Sequence, residues 1–199
     1  MKLHFGGKYK DESDLHSKRE HPEGYVPFKE PSQKQMRFIT FIACIAAGIF
    51  IGFVLRNIAG SGVFAVLTKI LIGALIVHLL MIPHELIRAA CYKEDVYFYI
   101  NPFPLTLLVH GTEDMSRARF ILMSILPVFV CGIIPFVAFL INHNLIVCGV
   151  VGIAWLTIGI GDYINIFNAL TQMPRGAKTY FYGFHSFWYN EKDGKGLTS

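Results

Sequence analysis

Four long apolar runs limit what this chain can fold into more than any other feature of its sequence. The first, Phe38 to Leu55, has eighteen residues without a charge, and the others cover about residues 63–91, 120–141 and 145–170. A helix needs roughly 17–25 residues to cross the hydrocarbon core of a bilayer. Charged residues make up 16% of the chain, against about 25% in soluble domains. The sequence therefore predicts an all-α integral membrane protein with four transmembrane helices. The lipid bilayer is its expected partner, and no nucleic-acid partner is expected.

The distribution of lysine and arginine predicts the orientation of these helices. Residues 1–37 contain eight of these cations, while the connection Arg88–Arg119 and residues 171–199 contain four each. The other two connections contain two and none. Lysine and arginine concentrate in the cytoplasmic loops of membrane proteins. We therefore expect a cell-membrane protein with both termini in the cytoplasm, in which a polar tail (1–37) and an aromatic tail (171–199) flank a membrane domain (38–170).

The connection between the second and third runs carries a strand signal. Val96–Ile100 is rich in strand-forming residues, and a second short apolar run, Leu105–His110, follows the turn residues Asn101–Pro104. Two short extended runs around such a turn predict a β-hairpin. We expect this small hairpin over residues 95–110, on the cytoplasmic side. Glycines predict a further turn at Gly60–Gly62, between the first two helices.

His84, Glu85 and Arg88 form a zinc-peptidase motif in which one residue is changed. Residues four apart lie on one face of a helix, so His-Glu-x-x-His offers two imidazoles to zinc and a glutamate to its bound water. Arg88 stands in place of the second histidine, and a guanidinium cannot donate a lone pair to a metal. One interpretation makes His84 a metal ligand and Glu85 a general base. The other is a polar cluster in which Glu85 pairs with a cation and His84 is hydrogen-bonded.

Asp162 is a second ionisable group inside an apolar run. A carboxylate at membrane depth is costly, so it is expected to face a partner, a cavity or an ion. It is a candidate for the third metal ligand, supplied by a different helix from that of His84. The alternative is an intramembrane salt bridge, for which Arg88 is the candidate partner.

Four further residues are candidates for the same centre. His78 lies seven residues before Glu85 and would orient that carboxylate or carry a proton, although a histidine in such a helix more often bonds a carbonyl on a neighbouring helix. His110, His185 and Cys91 are candidates for the ligand that Arg88 does not supply. Nothing in their spacing requires that role.

Several short motifs occur together in a characteristic order: Pro83–Arg88, the hairpin Val96–Val109, Ser124–Pro127, Gly161-Asp162 and Gly183–His185. In this order they resemble a bacterial membrane-protein family of unknown function that is labelled as putative zincin peptidases. The resemblance covers about Gln35 to Tyr189. No single motif is specific, and the order and spacing carry the likeness.

The resemblance implies a layout similar to that of site-2-type intramembrane metalloproteases, in which two histidines and a distant aspartate hold zinc. By position, His84 matches the first ligand, Glu85 the catalytic base and Asp162 the third ligand. Arg88 departs from the pattern at the second ligand. A guanidinium cannot bind a metal, and its positive charge also disfavours a metal nearby. The substitution therefore puts zinc binding and catalysis in doubt, but it does not affect the expected fold.

Three functions remain open at this point. The chain is either a zinc metallopeptidase that cleaves a peptide or membrane-protein substrate near the cytoplasmic face, or a pseudoenzyme that serves as a membrane scaffold or binding protein. In the second case Arg88 pairs with Asp162 or Glu85. A small transporter with a proton path through His78, Glu85 and Asp162 ranks last, because the chain shows no internal repeat of the kind that many transporters carry.

Overall fold

The computed structural model describes residues 2–15, 20–57, 62–102 and 105–190. Of these residues, 58% are helical and 18% are in strands. The predicted turns at Gly60–Gly62 and Asn101–Pro104 are therefore covered only in part. The chain divides into two compact units, the first from Met1–Glu30, Glu85–Leu126 and Tyr163–Ser199, and the second from Pro31–His84 and Pro127–Asp162.

The first unit contains a three-stranded sheet with the order β1-β3-β4. Strand β1 (Leu3–Lys8) is parallel to β3 (Val96–Pro102), and β3 is antiparallel to β4 (Leu105–His110). Val96 and Tyr99 of the central strand are fully buried. The hairpin predicted from the sequence is therefore part of a larger sheet whose third strand comes from the start of the chain.

The same unit contains a four-stranded antiparallel sheet with the order β2-β7-β6-β5. Its strands come from three distant parts of the chain: β2 (Val26–Pro27), β5 (Met115–Ser116), β6 (Lys178–Tyr182) and β7 (His185–Tyr189). Gly183 connects β6 to β7 with a φ of 58°, a left-handed conformation that costs glycine little.

The prediction of an all-α protein with one small hairpin is wrong, because the described residues form two sheets. Strands β1, β2, β6 and β7 lie in the segments 1–37 and 171–199, which were predicted to be tails. Strand β1 pairs with residues more than ninety positions away, and the N-terminal segment is further attached through His21, which is hydrogen-bonded to the Tyr180 hydroxyl at 2.8 Å. The pairing of β1 with such a distant strand cannot be predicted from the local sequence of either segment.

The second unit is helical. Helices α1 (Gln33–Asn57) and α2 (Val63–Leu79) pack against α6 (Ile146–Ile158), which also contacts α5 (Ile134–Ile141) and a π-helix (Phe129–Ile133). Three more helices have residues in both units: α3 (Met81–Ala89), α4 (Arg117–Val128) and α7 (Ile160–Gln172).

Glycines bring α5 and α6 into close contact within the second unit. A Cβ on Gly152 would lie 2.5 Å from the backbone nitrogen of Phe136, and one on Gly149 would lie 2.8 Å from the ring of Phe139. Small residues of this kind allow helices to pack closely in membranes, where van der Waals contact drives association.

Three described helical segments are long and apolar enough to cross a membrane: Gln33–Gly52, Phe64–Ala89 and Arg117–Ile141. The pair α6 and α7, bent by 48° at Gly159, is a fourth if it counts as one span. The second segment is interrupted at Leu80, between α2 and α3. Pro83 lacks the N–H that would bond the carbonyl of Leu79, which explains a break at that point.

Candidate active site

His84 is fixed from two sides within the helical unit. It lies in α3 and is only 5% exposed. Its imidazole stacks on the indole of Trp155, with the ring centroids 4.5 Å apart and the planes inclined by 18°. Its Nε2 atom lies 4.0 Å from Oδ2 of Asp162. The sequence thus nominated two residues, nearly eighty positions apart, whose polar atoms approach one another in the fold.

Asp162 is buried in the first turn of α7. This helix begins directly after the break at Gly159, which ends α6. A helix N-terminus carries a partial positive charge from its unpaired N–H groups, so it stabilises a nearby carboxylate. The break thus places the acid of Asp162 where the backbone itself favours negative charge.

Glu85, the next residue after His84 in α3, belongs to the sheet-containing unit and is 6% exposed. Its Oε2 atom accepts a hydrogen bond of 2.9 Å from the backbone N–H of Val109, in the edge strand β4. Its Oε1 atom lies 4.0 Å from Nη1 of Arg88, one turn later in the same helix. Each oxygen of the Glu85 carboxylate therefore lies close to an N–H group, one on the backbone of Val109 and the other on the guanidinium of Arg88.

The remaining candidates lie in different environments. His78 is exposed on α2, and its Nδ1–H donates to the carbonyl of Ala74 in its own helix at 2.8 Å. His185 is exposed on β7, and its Nδ1–H donates to a carboxylate oxygen of Glu30 at 2.8 Å. His110 is buried in β4 with its ring 6.3 Å from that of Phe181.

Cys91 follows α3, and its thiol donates to the carbonyl of Ile87. Burial raises the pKa of the Cys91 thiol, and the nearby guanidinium groups of Arg119 and Arg88 only partly offset that effect. Metals are bound by the thiolate rather than the thiol. The surroundings of Cys91 therefore disfavour the form that would ligate zinc.

The residues do not fit a complete catalytic zinc site. Such a site takes three protein ligands at about 2.1 Å, which places ligand atoms roughly 3.4 Å apart in tetrahedral geometry. The 4.0 Å between His84 and Asp162 is close to that spacing. However, no group of three or more His, Cys, Asp or Glu side chains is placed to hold a metal in the part of the chain that the structure describes.

Two neighbours of the candidate residues, one in each unit, were not predicted from the sequence. Trp155, which stacks on His84, lies seven residues before Asp162, a spacing that places both on one face of a continuous helix. That spacing was a usable signal. The backbone N–H of Val109 had no such signal, since its contact with Glu85 depends on how β4 packs beside α3.

The described residues form a mixed fold with two sheets and several helices long and apolar enough to cross a membrane, and they include a buried His84 and Asp162 in one unit and a buried Glu85 in the other. A family model described as "Putative zincin peptidase" matches residues 77–178, just over half of the chain. The chain belongs to this family. Membership implies zinc and a metallopeptidase-like ancestry. No curated protein and no solved structure matches the chain significantly.

Proposed function

We propose that this chain is a multi-pass protein of the cell membrane that keeps the zincin fold but acts as a binding or scaffold protein rather than a peptidase. The observation that carries the proposal is Arg88, which stands at the second ligand position and approaches the carboxylate of Glu85. A guanidinium stays protonated in proteins, so this position supplies charge where the family pattern supplies a metal ligand.

The surroundings of Glu85 support the same conclusion. A general base needs an oxygen available to the proton that it removes. Here one oxygen accepts the Val109 amide and the other lies beside Arg88. A buried carboxylate without a partner is destabilising, and the charge of Arg88 offsets this cost. In this proposal the contacts of Glu85 with Arg88 and Val109 stabilise the fold. A pair between Arg88 and Asp162 remains a prediction.

The sheets support an even number of membrane crossings. A hydrogen-bonded sheet cannot be divided by a bilayer, because strand edges are not tolerated in hydrocarbon. Strand β1 pairs with β3, and two candidate spans lie between them in sequence. Strand β2 pairs with β7, and the interval between them contains all the candidate spans. Four crossings result if the bent pair of α6 and α7 counts as one.

The side on which these sheets lie follows from charge. Sixteen of the eighteen Lys and Arg residues lie in the terminal segments and the Arg88–Arg119 connection. The positive-inside tendency favours the cytoplasm for that side. We therefore propose that both termini and both sheets are cytoplasmic.

The metal content of three purified proteins tests the proposal. The natural chain should contain less than about one-tenth of an equivalent of zinc, and a chelator should leave its melting temperature unchanged. Arg88→His restores the family motif and should raise zinc occupancy toward one equivalent. Arg88→Gln is the matched control, since it removes the charge without adding a ligand, and it should stay metal-free.

The opposite result would be about one equivalent of zinc in the natural chain, together with peptide hydrolysis that Glu85→Gln abolishes. That combination would establish an active metallopeptidase with a ligand in place of Arg88. It would reject the scaffold proposal.

A further inference from the structure

A cavity of about 480 Å³ lies in the sheet-containing unit. Its polar lining comes from Ser116, Arg117, Arg175 and Lys178, together with the backbone at Gly176. The described residues that line it thus include three cations and no carboxylate. The volume is within the range of about 300–1,000 Å³ typical of small-molecule sites.

Contacts within the unit hold two of the three cations, Lys178 and Arg117, in place. Ser116 of β5 pairs with Lys178 of β6, so these residues are fixed by the sheet. Gly176 has a φ of 87°, which permits the turn that leads into β6. The guanidinium of Arg117 donates to the carbonyls of Leu170 and Met173, at 2.8 and 3.2 Å. Arg117 therefore joins the start of α4 to the end of α7.

The two helix ends that Arg117 joins are ends of candidate membrane spans. One span begins at Arg117, and α7 forms the second half of the bent pair and ends at Gln172. Large apolar side chains are exposed on both helices within five residues of these ends in sequence, with Leu122, Phe167 and Leu170 between 50% and 64% exposed. The cations of the cavity thus lie at the ends of helices that expose apolar surface, which water does not favour.

We propose that this cavity binds the phosphate-bearing headgroup of an anionic phospholipid. The three cations that line the cavity favour a phosphate. The exposed apolar residues on α4 and α7 provide a surface for the acyl chains, which a free phosphate would not use. This inference rests on the proposed membrane insertion, and it is independent of whether the His84 region binds zinc.

The test uses the full chain purified in neutral detergent, with lipid binding measured by native mass spectrometry. Short-chain phosphatidylglycerol should bind more tightly than phosphatidylcholine of the same chain length, and inorganic phosphate should bind far more weakly than the anionic lipid. Each cation near a membrane surface contributes roughly five-fold to such binding. The double variant Arg175→Gln, Lys178→Gln should therefore lose roughly twenty-five-fold, whereas the control Lys93→Gln should change binding less than about two-fold.

Three outcomes would overturn the inference. They are equal binding of the two lipids, unchanged affinity in the double variant, and phosphate binding as tight as that of the anionic lipid, which would assign a soluble anion instead. If the double variant melts at a lower temperature than the natural chain, the exposed Arg175→Gln alone replaces it, with a loss of about five-fold expected. Extraction of the chain from membranes by alkaline carbonate separately rejects insertion, so the two failures are distinguishable.

Discussion

Replacing Glu85 by alanine should destabilise the protein strongly if this carboxylate is structural. The substitution removes the acceptor of the Val109 N–H, and an unsatisfied buried donor costs about 1–3 kcal/mol. It also leaves the guanidinium of Arg88 without this carboxylate, in a side chain that is only 18% exposed. Breaking a buried ion pair costs about 3–5 kcal/mol. Because the 4.0 Å separation is long, we expect about 3–4 kcal/mol in total.

Thermal unfolding of the protein in detergent measures this loss. A change of 1 kcal/mol shifts the melting temperature by about 2–4 °C for a chain of this size, so Glu85→Ala should lower it by roughly 6–16 °C. Glu85→Gln keeps an oxygen for Val109 and should lower it by less. Glu94→Ala changes an exposed acid on a nearby segment and is the control. Its free energy of unfolding should differ from that of the natural chain by less than about 0.5 kcal/mol. A Glu85→Ala protein as stable as this control would refute the structural role.

Two further predictions concern packing and pH. Gly152→Ala should destabilise the helical unit by at least about 1–3 kcal/mol, because its Cβ meets the backbone of Phe136, whereas Gly161→Ala, with open space around its Cβ, should cost nothing in the same unfolding assay. Hydrogen bonds from His4 and from the backbone at the start of β1 lower the pKa of Asp95. The stabilisation that follows is present above the ordinary carboxyl pKa of about 4 and is lost as the pH falls through the lowered value. Hydrogen exchange of the β1 amides, corrected for intrinsic rates, should therefore accelerate below about pH 4, and Asp95→Asn should remove that pH dependence.

The helical part of the fold was accessible from the sequence because its signal is local. A charge-free run such as Phe38–Leu55 identifies a membrane-length helix without knowledge of its neighbours. The structure places its counterpart at Gln33–Gly52 within α1. The interruption of the second apolar run also has a local cause, because Pro83 lacks the N–H that would bond the carbonyl of Leu79, and the break lies at Leu80.

The strands outside the predicted hairpin were missed because their partners are distant in sequence, and two of them, β2 and β5, have only two residues each. Val26–Pro27 contributes only two residues, paired with Trp188 and Phe187. No alternation can be detected over such a length, and the segment is rich in polar residues. Its place in a sheet is decided by packing around the buried Phe28, which contacts Met173 and Ala177.

The candidate site also has a part that could be predicted from the sequence and a part that required the tertiary fold. The motif and the late Gly-Asp directed attention to His84 and Asp162, whose side chains approach within 4.0 Å. The partner of Arg88 was left open between two carboxylates, because a helix alone allows Glu85 at three residues and folding could equally supply Asp162. The contact with Glu85 follows from helical spacing, whereas the contact of Glu85 with β4 requires the tertiary fold.

The parallel pairing of β1 with β3 also affects the order in which the chain assembles. During synthesis, Leu3–Lys8 leaves the ribosome long before Val96–Pro102 exists, and Val26–Pro27 waits longer still for β7. In the proposed topology the first hydrophobic helix is thus delivered to the bilayer while the segment ahead of it has no strand to join. That segment must stay soluble until the later strands have been synthesised, and its many charged side chains keep the unpaired segment solvated.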